Sequence, residues 1–158
     1  MKRTLAALVL VLAACSSEAD LEPKSGVWNY NGSTLGTNTC GENTPTDAAG
    51  PFTLTVTGEG TFTINDDDFM NAFECTYEGD SFSCPKRIAG SNKPEASIDA
   101  TLFYNVSITG TLDSETELSG TQTVDLSCEG TSCGLAVPLF FPQLPCAYNF
   151  SFSADIKA

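Results

Sequence analysis

The chain has 158 residues, with 20 acidic against 7 basic side chains, a net charge of -13 at neutral pH, 41% hydrophobic residues, seven cysteines and no histidine. So negative a balance repels nucleic acid and anionic lipid head groups, so no nucleic-acid partner is expected, while the hydrophobic share is too high for a disordered chain. Without histidine there is no His-based triad and no His metal site, and the cysteines show no C-x-x-C spacing.

Residues 1–14 place Lys2 and Arg3 before an apolar run from Leu5 that ends in Leu12-Ala13-Ala14, the layout of a secretory signal and too short to span a bilayer as a helix. With the following Cys15 this junction resembles the bacterial lipoprotein lipobox. The resemblance implies that Cys15 becomes the lipidated first residue and that the membrane is a partner through the N-terminal lipid. Ser16, rather than Asp, after that cysteine is similar to the pattern sent to the outer membrane of the cell envelope. Lipidation of Cys15 also leaves six cysteines to pair in an oxidising compartment. Residues 15–25 are polar and without period, as in a flexible tether, and 26–158 form one domain.

Period-two alternation dominates this domain, and no segment carries a helical stripe. A first strand is expected around Val27–Tyr30. Phe52, Leu54 and Val56, then Phe62 and Ile64, alternate with threonines around the loop Gly58-Glu59-Gly60, which sets Val56 opposite Phe62 and Leu54 opposite Ile64. In the segment 73–84, a two-residue turn at Gly79-Asp80 pairs Tyr77 with Phe82 and brings Cys75 opposite Cys84, close enough for a disulfide. The long run with Ile98, Ala100, Leu102, Tyr104, Val106, Ile108 and Leu112 on one face is followed by Leu118, Val124, Leu126 and Cys128. A count around Gly130-Thr131 sets Cys128 opposite Cys133, leaving Cys40 and Cys146 to join the first and last strands. The last strand alternates Cys146, Tyr148, Phe150, Phe152, Ala154 and Ile156 with polar residues. About eight antiparallel strands with one wet face each must close on themselves, so the expectation is an eight-stranded up-and-down barrel, with a β-sandwich as the alternative.

Gly26-Val27-Trp28 opens the first strand with the only tryptophan. This G-x-W is similar to the tripeptide of lipocalins and related calycins, where it closes the base of a ligand-holding barrel. No T-D-Y-like motif follows, and Lys157 is the one basic residue near the last strand. The resemblance implies a binding cavity, with Trp28, Leu102, Tyr104, Val106, Tyr148, Phe150 and Phe152 as its lining and a small apolar ligand as the partner.

The acidic residues fall at outward strand positions such as Asp99, Asp125 and Asp155 or in turns, a solvated face rather than a catalytic pair. Neither enzymatic activity nor a cofactor is expected. Asn65-Asp66-Asp67-Asp68 lacks the spacing of a calcium loop, so no metal is expected either. The apolar, proline-containing segment 134–145 cannot be a central strand and reads as a flap over the domain. Two functions stay open: a non-enzymatic module holding a small apolar ligand, or a structural or protein-interaction lipoprotein with a filled barrel.

Overall fold

The structure, a computed structural model, describes residues 21–42, 44–45, 50–66, 70–94 and 97–157. Cys15 and Asp67-Asp68 lie outside the described residues. Eight antiparallel strands follow one another in chain order: β1 (Gly26–Asn38), β2 (Pro51–Gly58), β3 (Thr61–Asn65), β4 (Phe73–Glu78), β5 (Ser81–Asn92), β6 (Thr101–Ser114), β7 (Glu117–Glu129) and β8 (Cys146–Ile156). Each pairs with the next, and β1 pairs with β8, so the strands form a ring that fits the all-β expectation in both its forms.

The alternation sets the register. Val56 faces Phe62 and Leu54 faces Ile64 across β2 and β3, and Tyr77 faces Phe82 across β4 and β5. Gly60 and Gly79 carry the positive φ these tight turns require, +70° and +61°. One contiguous apolar core fills the side of the sheet that the alternation turns inward.

Three expectations about elements are corrected. β1 extends well beyond Tyr30, because shifts in its pairing with β8 between Tyr30 and Gly32 and between Leu35 and Asn38 break the period-two pattern. Ile98 lies before β6 rather than within it. The segment expected to lack a helix contains α1 (Cys133–Phe140), with Pro138 inside it. An almost wholly apolar sequence has no polar face to contrast with, so no stripe marks this helix.

All three cysteine pairings read from the sequence are formed. Cys75 and Cys84, with α-carbons 4.1 Å apart, bridge β4 and β5 on the inner face. Cys40 and Cys146, 5.1 Å apart, tie the end of β1 to the start of β8. Cys128 and Cys133, 6.0 Å apart, bridge β7 to α1 rather than two facing strands.

The two ends of the ring differ. At the near end, tight turns interlock through backbone bonds from Tyr77 N–H to Gly60 O (2.9 Å) and from Leu112 N–H to Asp80 O (2.6 Å). Leu21–Ser25, sequence assigned to the tether, lies across this end. Pro23 is fully buried, Lys24 N–H donates to Glu115 O (2.8 Å), and Trp28 Nε1 donates to Lys24 O (3.1 Å). The far end carries the longer connections. There Asp99 Oδ2 accepts from the Thr131 backbone (2.9 Å) and hydroxyl (2.8 Å), which holds this exposed carboxyl below the usual range.

Two stability outcomes follow. The Cys40–Cys146 bridge closes a loop of sequence separation 106 and Cys75–Cys84 one of 9, and all four cysteines are buried. The loop-entropy difference is ~2 kcal/mol, about 4.7 against 2–3, so Cys40→Ala/Cys146→Ala should lower the melting temperature more than Cys75→Ala/Cys84→Ala. Asp99 has a depressed folded-state pKa, so its contribution is present above the unfolded value of about 4 and is lost as pH falls through the lower folded value. Melting curves of Asp99→Asn should match the wild type at the lowest pH and fall below it near neutrality.

Candidate functional site

The seven residues expected to line a cavity all take inward positions. Leu102, Val106, Tyr148, Phe150 and Phe152 are buried and Tyr104 is half-buried. Trp28 sits apart, 0% exposed at the near end with its ring 6.3 Å from Phe52, so it forms floor rather than wall.

The interior divides by chemistry. Its near half is closely filled, since Phe82 and Phe152 pair in register with Gly110 and Gly120, which face each other across β6 and β7. A β-carbon on Gly110 would lie 2.7 Å from Phe82 Cε1 and 2.2 Å from Ser119 O; one on Gly120 would lie 3.1 Å from Phe152 Cζ and 2.6 Å from Thr109 O. The glycines therefore let the rings reach the sheet. Further ring contacts link Phe62 to Phe82 at 5.6 Å and Tyr30 to Phe52 and Phe152 at 5.0 and 5.3 Å, a ladder whose edge-on members suit the ring quadrupoles.

Beside this packed row, at mid-strand, the inward face carries polar groups. Gln122 on β7 lies between Ile108 on β6 and Phe150 on β8 and is 7% exposed. Its amide hydrogen-bonds to none of the described residues, and the same holds for the hydroxyls of Tyr104 and Tyr148 further along and of Tyr30 in the packed half, but none of these atoms is fully sealed. Burial with the neighbouring Tyr104 pushes the Tyr148 hydroxyl up to about 12. Burial with the nearby, buried Asp66 carboxylate raises that of Tyr30. The hydroxyls of Tyr30 and Tyr148 thus stay protonated, able both to donate and to accept.

Sequence reading missed Gln122 as an inward residue. The signal was its register: Leu118, Gly120, Gln122, Val124 and Leu126 share one face, so the polar residue falls where the period demands an inward side chain.

Arg87 supports the far end. Its guanidinium stacks 4.1 Å above the Phe73 ring, and its terminal nitrogens donate to the carbonyls of Ala72 and Asn71. Burial lowers its pKa, and among the described residues its Nε is the one fully sealed side-chain nitrogen or oxygen without a partner. Nearby, α1 and the bends at 142–145 enclose a recess of about 490 Å³ against Ser127 and Cys128, with Val137 and Leu144 against the core and Leu135 80% exposed. The described groups offer no cluster of metal ligands, and the inward polar groups can donate and accept hydrogen bonds among apolar neighbours. No protein-family model, no curated protein and no solved structure matches the chain.

Proposed function

We propose that the protein is a lipoprotein of the bacterial cell envelope, anchored at the outer membrane through lipidated Cys15. Its ring of strands works as a lipocalin-like up-and-down barrel, a non-enzymatic module holding a small ligand toward the far end. The observation that carries this reading is the set of unpartnered polar groups on an otherwise apolar interior face. None of these groups is fully sealed, so an incoming partner can reach them. A ligand that is mostly apolar but carries a hydrogen-bonding group would match such a surface. The three disulfides support an oxidising, extracytoplasmic setting.

The near half favours a second reading, a filled barrel working through its surface, since Phe82 and Phe152 already occupy the room left by Gly110 and Gly120. The two readings differ at Phe150, beside Gln122. In a ligand-holding barrel, Phe150→Trp should leave the melting temperature nearly unchanged and weaken uptake of a hydrophobic dye. In a filled one it should overpack and destabilise by about 1–3 kcal/mol with no dye bound by the wild type. Native mass spectrometry of the protein made with Cys15→Ser should show a co-purified small molecule; the bare chain mass would count against the ligand reading. For the anchor, Cys15→Ser should move the protein from the membrane fraction to the soluble one, because the paired acyl chains implied by a lipobox hold far more firmly than one chain.

A further inference from the structure

The interior polar groups also discriminate among ligands. Gln122 is more than nine-tenths buried and projects among Gly120 and Val124 of its own strand, Ile108 of β6 and Phe150 of β8. None of these offers a hydrogen bond from its side chain, and the amide is not fully sealed, so an incoming group can reach it. A carboxamide presents one strong acceptor and two donors side by side. The group that matches it best is neutral, with a donor and an acceptor of its own.

Charge argues the same way. The cation nearest in kind, Arg87, has its terminal nitrogens committed to Ala72 and Asn71 and its ring contact to Phe73, so it is not free to neutralise an anion beside Gln122. The chain as a whole carries a net charge of -13. An anionic head group would enter uncompensated, and an ammonium would leave both amide protons of Gln122 unmatched.

Building on the ligand-holding reading, we infer that Gln122 is the specificity-determining residue of the interior and that the ligand class is a neutral amphiphile, an apolar chain or ring ending in an amide or hydroxyl group, rather than a fatty acid or an amine.

Three probes with one tail and different heads test this: octanamide, octanoate and octylammonium, titrated calorimetrically into the full chain carrying Cys15→Ser, which needs no detergent. Octanamide should bind at least tenfold more tightly than either charged probe. Gln122→Met, nearly the same length without the hydrogen bonds, should abolish that preference while keeping the melting temperature, since no protein group loses a hydrogen bond. Equal binding of the three probes, or a preference that survives Gln122→Met, would overturn the role of Gln122 and leave ligand holding intact. No binding of any probe by the wild type overturns both. Should Gln122→Met fail to fold, the ranking of the three probes on the wild type decides alone.

Discussion

Pairing of β1 with β8 is the constraint on which the rest depends, because a sheet of eight strands with two open edges would leave rows of unpaired backbone groups and an uncovered apolar face. Closure removes both at once. It also explains the placement of the longest-range disulfide, since Cys40 and Cys146 sit where the first and last strands meet at the far end and shorten the search for this least local pairing in the unfolded chain. At the other end of the same seam, Lys157 N–H donates to Val27 O (2.7 Å), so the junction is pinned at both ends.

Once the ring is closed, every inward side chain competes for a fixed interior, and the sequence resolves this by pairing size with size. The row Phe82, Gly110, Gly120, Phe152 runs across four adjacent strands, two large residues flanking two without side chains. Interiors pack near crystal density, so such a row can be altered only by compensating changes in its neighbours. Rigidity in the near half and polar groups from mid-strand onward divide the labour: one half supplies stability, and the other can afford groups that stability alone would not select.

Much of this was legible in the chain because period two is an unambiguous signal when strands are amphipathic. Counting outward from Gly79-Asp80 brought Cys75 to Cys84, and elimination then joined Cys40 to Cys146. What escaped did so for physical reasons. The pairing shifts in β1 put successive residues out of phase with a fixed period, and α1 is apolar on all sides. Gln122 was hidden by its own chemistry, since a count of apolar inward positions passes over a polar residue in the same row. For Cys128 and Cys133 the pairing was right although the local structure was not: a short sequence separation brings the sulfurs together whether the second cysteine continues a strand or opens a helix.

The docking of Leu21–Ser25 across the near end gives the molecule a direction. Under the proposed anchoring, five residues separate Cys15 from Leu21, a reach of about 20 Å when fully extended. The sealed end would thus be leashed to the bilayer, and the far end, with α1, would look away from it. Cargo would then be exchanged with the aqueous compartment or with whatever stands opposite, not drawn from the leaflet that holds the protein. In that geometry the anchor acts as a stalk and the domain as an outward-facing receptacle.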